Sequence, residues 1–133
     1  MTIVLDASAA IEVVLNRSRS DDISTVLESA QRVYAPGLYK AEITNALWKY
    51  LRSGQITKEE AKEALRIALG LIDEYINIQN YTDEVLNESV RFNHPAYDIF
   101  YLVAARRTGS LLISLDKTIN RLASQEGIDI INS

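Results

Sequence analysis

The chain has 133 residues, 47% of them hydrophobic, with five Gly, two Pro and no Cys. That length suits one compact domain over residues 1–133, with enough apolar side chains to bury a core. The missing cysteines exclude a disulfide framework, a thiolate nucleophile and any Cys-built zinc or iron–sulfur site; with no signal-peptide pattern, they point to the cytoplasm. The longest apolar stretch, around Ile99 to Ala105, is far too short to span a bilayer, so no membrane partner is expected. A net charge of -4 argues at first sight against a polyanionic partner. Setting aside the four acids nominated below, 14 acidic residues face 14 basic ones, although removing any other four acids has the same effect. An acidic chain can still handle nucleic acid when metal ions neutralise its active centre.

Thr2 to Leu5 is an unalternating apolar run, the pattern of a strand buried on both faces of a parallel sheet, and Asp6 reads as its last residue. Ser8 to Leu15 has helical spacing, with Ser8 placed to cap it. Asn16 to Ser20 reads as a loop, Asp21 to Ala30 as a helix with acids in its first turn, and Arg32 to Ala35 as a short strand closed by Pro36-Gly37. A strong helix from Leu38 to Ser53 stops at Gly54, and Thr57-Lys58-Glu59-Glu60 fits a capping box opening a second helix that extends to about Tyr75. Ile76 to Gln79 alternates like a half-buried strand, and Thr82 to Phe92 reads as an amphipathic helix. After Pro95, Ala96 to Arg107 is a helix apolar nearly all round, ended by Gly109. Leu111 to Ser114 is a second buried strand, Lys117 to Gln125 a short helix, and Ile128 to Ile131 a last strand. Strands separated by helices call for right-handed crossovers, hence a three-layer α/β/α sandwich with a central parallel sheet.

Four carboxylates stand out. In open α/β sheets ligands collect beyond the carboxyl ends of the strands, where Asp6 lies. Asp116 repeats the pattern after Leu111 to Ile113; the alternative is an N-cap for the helix that follows. Asp98 sits among Tyr97, Ile99, Phe100, Tyr101 and Leu102, where a carboxylate is costly unless hydrogen bonds or a cation compensate it. Its alternative is an acid satisfied by the helix dipole. Glu42 shares a helical stripe with Asn45 and Lys49, which taken alone reads better as a solvated face. Glu12 is a weaker candidate, expected at the surface or in support of the site.

The order and spacing of Val4-Leu5-Asp6-Ala7-Ser8, of Ala35-Pro36 through Glu42 with Asn45-Ala46-Leu47, of Tyr97 through Leu102, and of Leu112 through Asp116 resemble the PIN-domain nucleases. Within that family they are most similar to the small VapC-like toxins of prokaryotic toxin–antitoxin pairs. The resemblance covers nearly the whole chain. It implies a PIN-like fold and puts the family's catalytic, metal-binding acids on Asp6, Glu42, Asp98 and Asp116. It puts hydroxyls on Ser8 and Ser114 and a site amide on Asn45. Members often have a further acid about a turn after the fourth, where this chain has Lys117, Thr118, Ile119 and Asn120.

Four carboxylates brought together repel, and a divalent cation removes the conflict. Oxygen ligands and no Cys suit Mg²⁺ or Mn²⁺; the single histidine, His94, reads as a turn residue beside Pro95. The expected reaction is metal-dependent hydrolysis of RNA phosphodiester bonds. Arg17, Arg19, Lys40, Lys49 and Lys117 are candidate backbone contacts, with ordinary solubilising charge as the alternative. The resemblance further implies a structured RNA substrate such as tRNA or rRNA, a cognate antitoxin protein and a homodimer. The helical hairpin bearing Trp48, Tyr50 and Leu51 offers the partner surface or, alternatively, completes the core. Two rival readings stay open: a non-catalytic PIN-like RNA-binding or scaffold module, and a phosphoryl-transfer domain using Asp6 as nucleophile. Against the second, Ser8 stands where haloacid-dehalogenase-like folds usually need another acid.

Overall fold

The computed structural model describes residues 1–131. Four short strands form a parallel sheet: β1 (Thr2–Leu5), β2 (Arg32–Pro36), β3 (Glu74–Ile76) and β4 (Leu111–Ile113), in the order β3-β2-β1-β4. The strand that reads most apolar in sequence is central: Ile3, Val4 and Leu5 are fully buried between β2 and β4. Around the sheet lie α1 (Ala7–Val14), α2 (Ser20–Glu28), α3 (Tyr39–Arg52), α4 (Lys58–Gly70), α5 (Thr82–Phe92), α6 (Ala96–Thr108) and α7 (Lys117–Gln125). On one face α1 packs with α2, α3 and α4; on the other, α6 lies against β1, β2 and β4 with α5 and α7 beside it. The architecture is the expected three-layer α/β/α sandwich. No helix among the described residues is long and apolar enough to cross a membrane.

Local chemistry explains most of the boundaries. Thr57 and Glu60 form the reciprocal capping box at α4, Glu60 N–H donating to Thr57 Oγ1 (3.1 Å) and Thr57 N–H to Glu60 Oε1 (2.9 Å). Gly109 ends α6 in a left-handed conformation (φ 63°), which glycine adopts without steric cost. Asn93 does the same for α5 (φ 51°), a role asparagine tolerates.

Four expectations need correction. Asp6 lies one residue past β1 and is itself the N-cap of α1, accepting from Ala9 N–H at 3.0 Å, so the cap is not Ser8. The helix expected to reach Tyr75 stops at Gly70, because Asp73 is drawn to the sheet: its N–H donates to Val33 O (2.8 Å) and its carboxylate accepts from Val33 N–H (2.7 Å). The third strand is therefore Glu74–Ile76, and Ile78–Tyr81 is a 3₁₀ turn where the alternating Ile76 to Gln79 reads as strand. Ile128 to Ile131 forms no strand, only a single bridge from Ile130 to Leu112.

Because every strand is parallel, all four carboxyl ends lie on one edge of the sheet. The helix α6 precedes β4 and runs back along the sheet, so its first turn, with Asp98, returns to that edge. Its last residue, Thr108, is tied at the opposite edge through Ser110 to Thr2, with Oγ–Oγ separations of 2.6 and 2.7 Å. That end of α6 is pinned by ion pairs from Arg106 to Glu84 (2.6 Å), Glu88 (2.7 Å) and Glu126 (3.4 Å). Arg91 adds a pair to Glu88 at 2.8 Å.

Candidate active site

Asp6 is held at the end of the central strand with 7% of its surface exposed. Its Oδ1 accepts from Ser8 Oγ (2.6 Å) and Ala9 N–H (3.0 Å). Burial pushes the carboxyl above its ordinary value; the Ser114 and Ser8 hydroxyls and the Ala9 amide pull it down, and the charge of Asp98 pushes it up again. Glu42, half-buried on α3, accepts from Tyr101 Oη at 2.6 Å. Its carboxyl is also raised, first by burial, which outweighs the Tyr101 hydrogen bond, and then by the charges of Asp6 and Asp98. Three of the four nominated acids thus feel one another, although they are 36 to 92 residues apart in the chain.

Asp98 departs from the expected buried carboxylate. The first turn of α6 is open, Tyr97 being 68% exposed and the Asp98 side chain 39%. The carboxylate meets His94 Nε2 at 2.8 Å, so the histidine is more than a turn residue. Asp116 is exposed and caps α7, accepting from Ile119 N–H at 2.9 Å, while its own N–H donates to Ser114 Oγ at 3.0 Å. Ser8 Oγ accepts from Leu115 N–H at 3.1 Å, stitching the ends of β1 and β4 together, and Ser114 lies near enough to Asp6 to lower its carboxyl. Asn45 lies exposed on α3 beyond Glu42.

Glu12 is not at the surface. It is buried, and its Oε2 accepts from Arg19 N–H at 2.8 Å and from Ser18 Oγ at 3.4 Å, organising the loop between α1 and α2. Arg17 pairs with it at 3.6 Å and lies over the Tyr50 ring at 5.5 Å. Lys40 Nζ stacks on Tyr75 at 4.3 Å, on the β3 side of the sheet. Lys49 is exposed on α3, and Lys117 lines a groove of about 360 Å³ with Arg19, Ser114 and Asn120. A second groove, of about 500 Å³, is lined by Ser8, Arg17, Ala46, Tyr50 and Leu115.

The donor set suits a hard cation: carboxylate and hydroxyl oxygens, with no lysine or arginine paired to Asp6, Glu42, Asp98 or Asp116 among the described residues. Its spacing is wider than coordination requires, since no three acidic or histidine side chains among the described residues converge closely enough to hold an ion. Tyr101 and His94 are the two site neighbours not singled out from sequence. Both carried a signal: they stand at i+3 and i−4 from Asp98, one turn away on either side.

Residues 3–125 match the sequence pattern of the PIN domain. The chain belongs to the PIN-domain family. This PIN domain is 28% identical over 123 residues to "Ribonuclease VapC3" of Pyrobaculum aerophilum, covering 90% of this chain and 92% of that protein. Its fold superposes on the crystal structure of PAE2754 from Pyrobaculum aerophilum with a TM-score of 0.74 at 22% identity, over 98% of this chain and 89% of that one. Superposition on VapBC2 from Rickettsia felis, bound to a DNA fragment from their promoter, gives a TM-score of 0.69 at 15% identity, over 99% and 98% of the two chains.

Proposed function

We propose that this PIN domain is a divalent-cation-dependent endoribonuclease acting in the cytoplasm, the toxin of a toxin–antitoxin pair. What supports the reading most is that the carboxyls of Asp6, Glu42 and Asp98 repel one another at the carboxyl edge of the sheet, with no lysine or arginine paired to them among the described residues. Asp116, at the end of the neighbouring strand β4 with its N–H donating to Ser114 Oγ, is the fourth acid of the proposed site. The likeness to a VapC ribonuclease names RNA as the substrate.

Asp6, Glu42, Asp98 and Asp116 would hold Mg²⁺ or Mn²⁺. Such an ion, when bound, offsets the repulsion, makes water a better nucleophile toward phosphorus and stabilises the leaving oxygen. Ser8 and the Ala9 amide fix one oxygen of Asp6, so that the carboxylate reaches the substrate without reorganising. A carboxylate of the cluster accepts the proton of the attacking water as the new P–O bond forms. The bond to the 3′ oxygen breaks, leaving 5′-phosphate and 3′-hydroxyl ends. The groove that Ser8 lines also holds Arg17, and the one that Ser114 lines holds Arg19 and Lys117, cations that would contact an RNA backbone lying there. Lys49 extends the positive charge along α3. A cognate antitoxin and a second copy of the chain are the proposed protein partners. Exposed Trp48, with Leu51, Ala61 and Leu65 in a small apolar groove of about 220 Å³, offers surface to such a partner.

The test is cleavage of end-labelled structured RNA by the purified chain, with the new ends mapped by sequencing. Activity is expected with Mg²⁺ or Mn²⁺, none with excess chelator, and none from Asp98→Asn that retains the native circular dichroism. Full activity in chelator would overturn the proposal.

A further inference from the structure

The first half of α6 does more than carry Asp98. Tyr101, one turn further on, is 3% exposed, yet its hydroxyl leaves the core to donate to Glu42 Oε1 on α3, 59 residues away in sequence. If packing alone selected this side chain, phenylalanine would fill the same space. His94 sits one turn before Asp98, in a bend set by the left-handed Asn93 and held by its own N–H donating to Ser89 O at 3.1 Å. An ionised carboxylate can only accept, so at the 2.8 Å contact His94 Nε2 carries the proton and donates to Asp98 Oδ2.

We propose that His94 and Tyr101 are positioning residues, each fixing one oxygen of an acid and leaving the other, Asp98 Oδ1 and Glu42 Oε2, without a hydrogen-bond partner among the described residues and available to an ion. The inference rests on reading these acids as ion-binding. The supporting donor orients the carboxylate and removes the rotamer freedom that binding would otherwise have to freeze. Tyr101 is suited to the task because its ring is held in the core while its hydroxyl donates to Glu42 Oε1 at 2.6 Å.

Mn²⁺ affinity, measured by calorimetry on the full chain, separates positioning from packing because it needs no turnover. Tyr101→Phe and His94→Leu should each weaken Mn²⁺ binding by about tenfold to a hundredfold with unchanged circular dichroism. His94→Gln, which keeps an N–H at similar reach, should recover most of the loss. With RNA, the same variants should lower kcat and leave KM nearly unchanged. If His94→Leu fails to fold, His94→Asn, whose amide is too short to reach, replaces it, and the difference from His94→Gln carries the test. Wild-type affinity in both Tyr101→Phe and the histidine variant would overturn the inference while leaving the nuclease reading intact. A wild-type chain that binds no Mn²⁺ would overturn both.

Discussion

Replacing Asp6 by asparagine should make the ion-free protein more stable. The carboxylate is buried at the end of β1, no basic side chain pairs with it among the described residues, and the charge of Asp98 is felt nearby. Burying an unpaired charge costs several kcal/mol before compensation. The donors that recover part of this are Ser8, Ala9 and Ser114, each worth about 1 kcal/mol more to a charged acceptor than to a neutral one. Asparagine gives up that increment but keeps an acceptor for the Ala9 amide, and it caps a helix as well as aspartate does. A net gain of about 1–2 kcal/mol follows, or about 4–8 °C in Tm for a chain of this size. The sign with pH is fixed by the raised carboxyl: folding favours its protonated form, so wild-type stability falls as pH rises from the ordinary carboxyl value of 3.8 through the raised folded value. Thermal unfolding in EDTA should therefore show Asp6→Asn above wild type at pH 7 and the gap closing toward pH 4. Saturating Mn²⁺ should raise wild type but not the variant. An Asp6→Asn protein equal to or below wild type in EDTA at pH 7 would refute the reasoning.

Mn²⁺ affinity should tighten as pH rises through the range in which the raised Asp6 and Glu42 carboxyls ionise, with protons released on binding; calorimetry in two buffers of different ionisation enthalpy reads this directly. Asp116→Asn should keep the α7 cap and native stability yet lose RNA cleavage, whereas Asp116→Ala should lose about 1 kcal/mol as well, by urea unfolding. At the opposite edge, hydrogen bonds and charge from Arg91 and Arg106 hold Glu88 down to about 2, so its contribution is full above 4.5 and lost as pH falls through about 2. Arg106→Met should cost about 1–2 kcal/mol at pH 7, allowing for solvent screening of a partly exposed network, and leave RNA cleavage unchanged. Tyr39→Phe, which removes a buried bond to Ala68 O of 2.7 Å, should cost about 1 kcal/mol.

The elements legible in the sequence are those whose local chemistry agrees with the fold. The all-apolar β1, the Thr57–Glu60 box of α4 and the helix pattern of Thr82 to Phe92 each carry their own boundary signal. The failures come where a distant partner decides. Leu71 and Ile72 continue the helical spacing of α4, but Asp73 bonds twice to Val33, and only the neighbouring strand could reveal that. The site follows the same division. Asp6 and Asp116 were visible as acids at the ends of apolar runs, and Asp98 as an acid beginning an apolar helix. The open first turn of α6, the cap role of Asp6 and the loop-binding role of Glu12 depend on what packs beside them. His94 and Tyr101 sit at helical spacing from Asp98, but the reach of Tyr101 to Glu42 requires α3 and α6 to meet.

The central claim is that Asp6, Glu42 and Asp98, with Asp116 beside them, share a divalent cation. Anomalous diffraction from crystals of the chain equilibrated with Mn²⁺ tests it most directly. The account predicts manganese bounded by oxygens of Asp6, Glu42 and Asp98, with Asp98 drawn toward the others while retaining His94. Manganese found only elsewhere, or a cluster without metal at saturating Mn²⁺, would contradict it.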